Sequence, residues 1–196
     1  MIKQRAVFLD RDGTINEDVG YLSNLNQLSI IPEAFEAVRL MNRQRLQVIV
    51  ITNQSGVGRG YFDEAVVERI HVHLRAAFLA EDAVIDRFYY CPHHPTEGRG
   101  VYLHACSCRK PEPGMLIRAA AERNIDLSHS YMIGDTSNDV VAGKRASCKG
   151  ILVETGYGRD ADTTKTRPDY TAKNILDATR WILNDITDEY EAGVNS

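Results

Sequence analysis

Five short apolar runs alternate along the chain with segments that have the periodicity of helices. Unbroken apolar runs of this kind are typical of strands buried on both faces of a sheet. The runs cover Ala6–Leu9, Gln47–Ile51, Arg87–Tyr90, Tyr131–Ile133 and Ile151–Val153. Regular alternation of strand and helix predicts an α/β fold with a Rossmann-like parallel sheet and helices on both of its faces.

The intervening segments repeat apolar residues every three or four positions and predict five helices. They are expected after Pro32, after Asp63, over Met115–Ala121, over Thr136–Ala146 and along Ile175, Ala178, Ile182 and Ile186. Asp63 is suited to cap the second of these helices, because Asp is a favoured N-cap residue. The residues from 188 to 196 are predicted to form a flexible, frayed tail.

Composition indicates one globular domain over residues 1–196. The chain is 43% hydrophobic and 26% charged, with a formal net charge of -4, which argues against a nucleic-acid partner. No apolar run approaches the roughly 20 residues of a membrane span, and the first residues lack the apolar stretch of a secretory signal. We therefore expect a cytoplasmic protein without membrane association, and a monomer.

The candidate chemistry follows the apolar runs, because ligands of parallel α/β sheets bind beyond the carboxyl ends of the strands. Asp10 and Asp12 follow the first run in the string DRDGT. Two carboxylates so close together need a cation or different protonation states, which suits a metal-assisted reaction with one nucleophile and one acid-base group. A capped turn explains an isolated pair of acids equally well, but a chance match to D-x-D-G-T is expected on the order of a few times per thousand chains.

Polar residues also follow the later runs. The segment Thr52–Gly56 offers a hydroxyl, two side-chain amides and backbone N–H groups for phosphoryl oxygens, although by itself it resembles an ordinary polar loop. Lys110 offers a positive charge, for which a solvated surface lysine is the alternative. Asp135 follows the fourth run and is suited either to a magnesium site or to an N-cap.

Three cysteines and a histidine form a second cluster. Cys91 and His93 make one pair, and Cys106 and Cys108 make another, each with one residue between its members. Four soft ligands in this arrangement predict a closed, structural tetrahedral zinc site that fastens the loop 91–108. Unlinked buried thiols are the alternative, and His94 is an alternative ligand to His93.

The order of these pieces, each near a strand end, resembles the haloacid dehalogenase superfamily of phosphotransferases over Val7–Val153. The resemblance implies a nucleophilic Asp10, and an Asp12 that protonates the leaving oxygen and then activates water. It also implies that Thr52 and Lys110 stabilise charge on the transferred group. Magnesium would be held by the Asp10 carboxylate, the Asp12 backbone carbonyl and Asp135, while Asp139 would orient Lys110 or a metal-bound water.

Within the superfamily, the chain is similar to the phosphatases of D-glycero-D-manno-heptose 1,7-bisphosphate. The shared motifs are FLDRDGT, TNQSGVGRG, YYCPHHP, CRKPEPGM and YMIGD. The resemblance implies a minimal cap and a small sugar bisphosphate as partner, and Arg59 and Arg109 are the cations suited to its outer phosphate. The implied substrate contacts are Asp18, Val19, Gly20, Tyr21, Thr52, Asn53, Gln54, Ser55, Arg109 and Lys110.

Two other functions compete with this one. Histidinol-phosphate phosphatases share DRDGT, TNQ and the metal loop, but they typically have Asp-Gly where this chain has Ser55 and Gly56, and a shorter metal loop. A non-catalytic zinc-binding module is the alternative from another class, and the acidic net charge disfavours it. The α and β anomers of the bisphosphate are both candidate substrates.

Overall fold

The computed structural model describes residues 3–164 and 166–194. Six parallel strands form one sheet in the order β3-β2-β1-β4-β5-β6. They are β1 Ala6–Leu9, β2 Gln47–Asn53, β3 Arg87–Cys91, β4 Tyr131–Gly134, β5 Lys149–Val153 and β6 Tyr170–Ala172. The five predicted strands are confirmed. The pattern missed β6 because this edge strand is short and pairs with β5 alone.

Six α-helices surround the sheet in the described part of the chain. They are α1 Pro32–Arg43, α2 Ser55–Arg59, α3 Glu64–Ala80, α4 Gly114–Arg123, α5 Ser137–Arg145 and α6 Ile175–Val194. The Asp63 carboxylate accepts a hydrogen bond from the Val66 N–H at 3.0 Å, so the predicted cap of α3 is confirmed. The short helix α2 was not predicted, because its Gly-rich sequence has the composition of a loop.

Alternating side chains of β1, β2, β3 and β4 enter two separate hydrophobic cores. Val7 and Leu9 of β1 pack on one face with α1, α3 and α6. Ala6 and Phe8 point to the other face, where α4 and α5 cover the sheet. The prediction of helices on both faces is therefore correct, and burial of both faces explains why the strands read as continuous apolar runs.

The C-terminal segment that was predicted as a frayed tail is helical where the structure describes it. Helix α6 continues to Val194, so the chain from 188 to 194 is helical, and residues 195–196 of the predicted tail lie outside the described residues. Lys149 bonds Asp185 at 2.6 Å and Glu189 at 2.9 Å, and Arg5 bonds Glu189 at 2.9 Å. These ion pairs fasten the last turns of α6 to the sheet, which hydrophobic periodicity does not reveal.

The connections beyond the carboxyl ends of β1 and β2 are short. Residues 10–31 contain one 3-10 turn at Leu25–Gln27, and residues 54–63 contain α2. Neither connection holds an inserted domain. These two connections form the rim around the strand ends. Within the described residues, no helix combines the length and the apolar character needed to cross a bilayer.

Candidate active site

The central strands bring the predicted residues together at one edge of the sheet. β1 lies between β2 and β4, with Leu9 level with Val50 and Ile133. Asp10, Thr52 and Asp135 therefore meet beyond neighbouring strand ends. They open into a cavity of about 180 Å³ that is lined by Asp10, Asp12, Asp18, Gly20, Thr52, Asn53, Lys110, Asp135, Thr136, Asn138, Asp139 and Tyr157.

Lys110 is the buried cation of this cavity. Its Nζ lies 2.8 Å from Asp10 Oδ1 and 2.6 Å from Asp139 Oδ1, and it donates to the Ile51 carbonyl at 3.0 Å. Burial opposes the charge, but Asp10 and Asp139 outweigh it and raise the pKa of Lys110. The Asn53 amide holds the Lys110 backbone by bonding both its N–H and its carbonyl at 3.0 Å. Lys110 is therefore held in place with its charged form favoured, and its contact with Asp139 agrees with the expectation that Asp139 orients it.

Three carboxylates form a candidate magnesium centre. Ligand oxygens of Asp10, Asp135 and Asp139 lie within 4.8 Å of one another. Burial raises the pKa of Asp10, and it raises the pKa of Asp135 to about 7, so a cation favours the ionised forms of both. Carboxylate oxygens are hard donors that suit Mg²⁺. These residues fit the implied metal, and Asp139 joins the carboxylate cluster beside the two predicted acids.

Asp12 occupies different surroundings although it is only two residues from Asp10. Its carboxylate accepts hydrogen bonds from Arg11, Asn16 and Gln54. Burial alone would raise its pKa, but the Arg11 guanidinium and these hydrogen bonds lower it. Asp10 and Asp12 therefore differ in their surroundings and have opposite pKa shifts.

The segment Thr155–Tyr157, after β5, contacts Gly13 and the metal-ligand candidate Asp135, and we call it the clasp. Thr155 Oγ1 donates to the Gly13 carbonyl at 2.6 Å, and the Tyr157 N–H donates to Asp135 Oδ2 at 2.9 Å. A Cβ at Gly156 would lie 2.1 Å from Asp135 Oδ2, and one at Gly13 would lie 2.2 Å from it. Sequence reasoning missed this clasp. The sequence signal that could have found it is the pair of glycines Gly13 and Gly156, which both adopt positive φ.

Thr136 also acquires a role that the sequence did not indicate. It is the N-cap of α5, where its hydroxyl and N–H both bond Asp139 Oδ2. This capping box holds one oxygen of Asp139, and the other oxygen is left to Lys110. The helix start therefore positions the carboxylate that orients the lysine.

The four predicted zinc ligands converge. The sulfurs of Cys91, Cys106 and Cys108 lie 3.1 to 3.4 Å from one another, and His93 Nδ1 lies 3.6 Å from Cys91 and 3.4 Å from Cys108. All three cysteines are free thiols. The contact with Cys91 lowers the pKa of the Cys108 thiol, whereas the contact with Cys108 and burial raise the pKa of the Cys91 thiol. Bound zinc would favour the thiolate form of both. A compact Cys₃His donor set fits tetrahedral Zn²⁺.

His94 is excluded from this cluster by its contacts. Its Nδ1 accepts from the Glu97 N–H at 3.0 Å, and its Nε2 lies 3.2 Å from Arg59 Nη2. Of the two candidate histidines, His93 is therefore the one that faces the sulfurs.

The predicted substrate contacts divide between the cavity and its rim. Asp18 and Gly20 line the cavity, and the Asp18 carboxylate accepts from the Gly20 N–H at 2.6 Å. Val19 and Tyr21 are exposed beside them. Gln54 Nε2 donates to Thr52 Oγ1 and to Asp12 Oδ2, both at 3.0 Å, whereas Ser55 begins α2.

The two predicted arginines lie outside the cavity. Arg59 pairs with Glu97 and lies 5.9 Å from the centre of the Tyr21 ring. Arg109 Nη1 donates to the carbonyl of the zinc-ligand candidate His93 at 3.3 Å. Neither arginine is among the described residues that line the cavity, and their contact with an outer phosphate stays a prediction.

Comparison with known proteins agrees with this geometry. The HAD-hydrolase-like family model matches residues 107–178. The chain is 40% identical over 180 residues to D-glycero-beta-D-manno-heptose-1,7-bisphosphate 7-phosphatase of Pasteurella multocida, covering 91% of this chain and 97% of that protein. It is 38% identical over 185 residues to D-glycero-D-manno-heptose-1,7-bisphosphate 7-phosphatase of Thermosynechococcus vestitus, covering 90% and 94%.

A solved structure supports the same relationship. The D,D-heptose 1,7-bisphosphate phosphatase of B. bronchiseptica, complexed with magnesium and phosphate, superposes with a TM-score of 0.83 at 30% identity, covering 93% of this chain and 99% of that one. The strand order and the positions of the acids agree with the expected superfamily. The chain belongs to the family of heptose-1,7-bisphosphate 7-phosphatases within the haloacid dehalogenase superfamily.

Proposed function

We propose that the chain hydrolyses the 7-phosphate of D-glycero-D-manno-heptose 1,7-bisphosphate in the formation of nucleotide-activated heptose precursors. The observation that carries this proposal is the buried constellation of Asp10, Lys110 and Asp135 at the end of the sheet in a chain 40% identical to such a phosphatase. We further propose that it acts as a cytoplasmic monomer on the free sugar bisphosphate, without nucleic acid or membrane.

Asp10 is the proposed nucleophile. One carboxylate oxygen attacks phosphorus, an oxygen–phosphorus bond forms, and the bond from phosphorus to the 7-oxygen of the sugar breaks. Asp12 gives its proton to that departing oxygen. In the second half-reaction Asp12 takes a proton from water, the water oxygen attacks phosphorus, and inorganic phosphate leaves with Asp10 regenerated.

Thr52 and Lys110 are the proposed charge-stabilising groups. The Lys110 ammonium contacts Asp10 at 2.8 Å, so it also lies beside the oxygens of a phosphoryl group that Asp10 attacks. The Thr52 hydroxyl lines the same cavity and is bonded by Gln54. The carboxylates of Asp10 and Asp135, with the Asp12 backbone carbonyl, would hold magnesium, which neutralises negative charge on the nucleophile and the phosphate when bound.

We propose that Cys91, His93, Cys106 and Cys108 hold zinc in a structural role. Four protein ligands leave no open coordination position. The site lies beside Arg109, which bonds the His93 carbonyl at 3.3 Å. Zinc would therefore fix the loop that positions this arginine.

The outer phosphate is proposed to bind at the rim. A cavity of about 180 Å³ admits the reacting phosphoryl group, and the sugar and its second phosphate then extend toward Arg59 and Arg109. We expect Arg59→Ala and Arg109→Ala to raise KM for the bisphosphate about tenfold or more, and to change hydrolysis of a simple monoester much less. Arg118→Ala, at an exposed position on α4, is the matched control. Equal losses on both substrates would exclude the arginines from this role.

Phosphate release identifies the substrate directly. The assay compares both anomers of the heptose bisphosphate with histidinol phosphate in the presence of magnesium, and Asp10→Asn serves as the blank. We expect the β anomer named for the relative from Pasteurella multocida to be hydrolysed selectively at the 7-phosphate. Preference for histidinol phosphate would overturn the substrate assignment, and release that persists in Asp10→Asn would overturn the mechanism.

A further inference from the structure

Arg11 is a fully buried arginine between the two acids. Its exposed surface fraction is 0%. Its Nε lies 3.1 Å from Asp12 Oδ1, and its Nη2 lies 3.0 Å from Oδ1 and 2.8 Å from Oδ2 of the same carboxylate. This is the forked, two-sided pairing that a guanidinium can make and an ammonium cannot.

The ion pair with Asp12 compensates for the burial of the Arg11 charge. Arg11 Nη1 has no hydrogen-bond partner among the residues that the structure describes, and the other two nitrogens both serve Asp12. A buried cation is costly unless it is well paired, and hydrophobic replacement of a buried pair is often neutral for stability. Stability alone therefore gives a weak reason for an arginine here.

Two more donors complete a cage around the same carboxylate. Asn16 Nδ2 donates to Oδ1 at 2.9 Å, and Gln54 Nε2 donates to Oδ2 at 3.0 Å. Arg11, Asn16 and Gln54 come from the end of β1, the connection after it and the start of α2. Asp12 is thus oriented from three directions, while the carboxylate still lines the reaction cavity.

We propose that Arg11 is the positioning residue for proton transfer by Asp12. Its fork fixes the direction of the carboxylate toward the leaving oxygen, and it does so from behind, without lining the cavity itself. Proton transfer depends steeply on the alignment of the acid with the oxygen that receives the proton. The proposal rests on the proposed acid-base role of Asp12.

The test compares two leaving groups. A sugar alkoxide needs a proton as it departs, whereas p-nitrophenolate departs as an anion. We expect Arg11→Met to lower kcat on the sugar phosphate about 100-fold, the scale of general acid catalysis, with KM nearly unchanged. On p-nitrophenyl phosphate the loss should be at most a few-fold in the burst of p-nitrophenolate, which reports transfer of the phosphoryl group to Asp10 before Asp12 activates water. Arg11→Lys, which keeps the charge without the fork, should recover only part of the lost rate.

Three further variants separate the possible failures. Asp12→Asn should reproduce the leaving-group pattern, and Asn16→Ala should show a weaker form of it. Asp10→Asn should abolish both activities, and its failure to do so would refute the proposed function rather than the role of Arg11. Equal losses of Arg11→Met on both substrates, or no loss, would overturn the positioning role. If Arg11→Met does not fold, Arg11→Lys and Asn16→Ala decide by the same comparison.

Discussion

Asp10 and Asp12 show how far two neighbouring carboxylates can differ in environment. Asp10 faces Lys110 and two other buried acids, and its pKa is raised by burial. Asp12 faces the Arg11 fork, and its pKa is lowered. Groups whose surroundings push their pKa values apart are suited to different steps of one reaction. The two carboxylates therefore differ in their surroundings, and their roles as nucleophile and acid-base group stay predictions.

A short sequence motif predicted Asp10 and Asp12, but it did not predict the residues that orient the site. DRDGT identifies Asp10 and Asp12 because both lie within one short motif. The clasp from Thr155 to Tyr157 lies more than 140 residues from Gly13 along the chain and reaches it only through the sheet. Contacts of that range depend on the tertiary fold, and no spacing in the sequence encodes them.

Gly156 offers a test of this clasp. Its φ is +52°, and an added Cβ would lie 2.1 Å from Asp135 Oδ2. We expect Gly156→Ala to displace the Asp135 carboxylate and to weaken magnesium binding about tenfold or more, because the ligand oxygen must move. Magnesium titration followed by isothermal calorimetry measures the loss.

Gly100→Ala is the matched control for that variant. Gly100 has a φ of +54°, and nothing lies within 4 Å of an added Cβ. Both variants should lose about 1 kcal/mol of stability from backbone strain. Gly156→Ala should lose more from its close contact with Asp135, and only this variant should lose magnesium affinity. Equal magnesium affinity in the two variants would show that the clasp does not position Asp135.

At the scale of elements, buried strands and the metal loop were the most predictable parts. Continuous apolar runs identify strands covered on both faces, and the spacing of Cys91, His93, Cys106 and Cys108 identified the cluster that the structure assembles. Short elements escaped prediction. β6 and α2 contain few residues, so tertiary contacts and not periodicity decide their conformation.

The cysteine loop is predicted to act as a stabilising element first. We expect Cys106→Ser to lose zinc and to lower the melting temperature by several degrees, because metal binding contributes directly to folding. The native protein should contain one zinc per chain by elemental analysis. KM for the bisphosphate should rise before kcat falls, since the loop carries Arg109 and not Asp10.

Cys148→Ser is the control for loss of a cysteine as such. Cys148 is buried away from the cluster, and burial raises its pKa to about 12. This variant should retain its zinc. A metal-free native protein with unchanged stability would refute the zinc site.

At the scale of the whole molecule, burial of His71 makes stability depend on pH. His71 lies in α3 and stacks on Phe88 at 4.7 Å between ring centres, and burial lowers its pKa from 6.5 to about 3. Above pH 6.5 neither the folded nor the unfolded chain binds a proton at His71, so burial of this side chain costs no free energy of unfolding. As the pH falls from 6.5 toward 3, the unfolded chain binds a proton that the folded chain excludes, and stability is lost.

The expected size of this effect is measurable. Between pH 6.5 and pH 4.5, native protein should lose about 2 kcal/mol more than His71→Phe, since each bound proton contributes at most about 1.4 kcal/mol per pH unit. Urea unfolding at a series of pH values gives the difference. His73→Phe, at an exposed position on the same helix, should keep the native pH slope, and an equal slope in His71→Phe would contradict the assignment.

The small size of the cavity, about 180 Å³, has a consequence for the evolution of such proteins. The proposed bond-breaking groups lie at strand ends, whereas the proposed contacts to the sugar lie in loops outside the core. Mutations in those loops can therefore change which metabolite is accepted at little cost to folding or to phosphoryl chemistry. Such a separation lets one scaffold diversify into catalysts for unrelated phosphate esters, and it makes the rim the natural target for redesign.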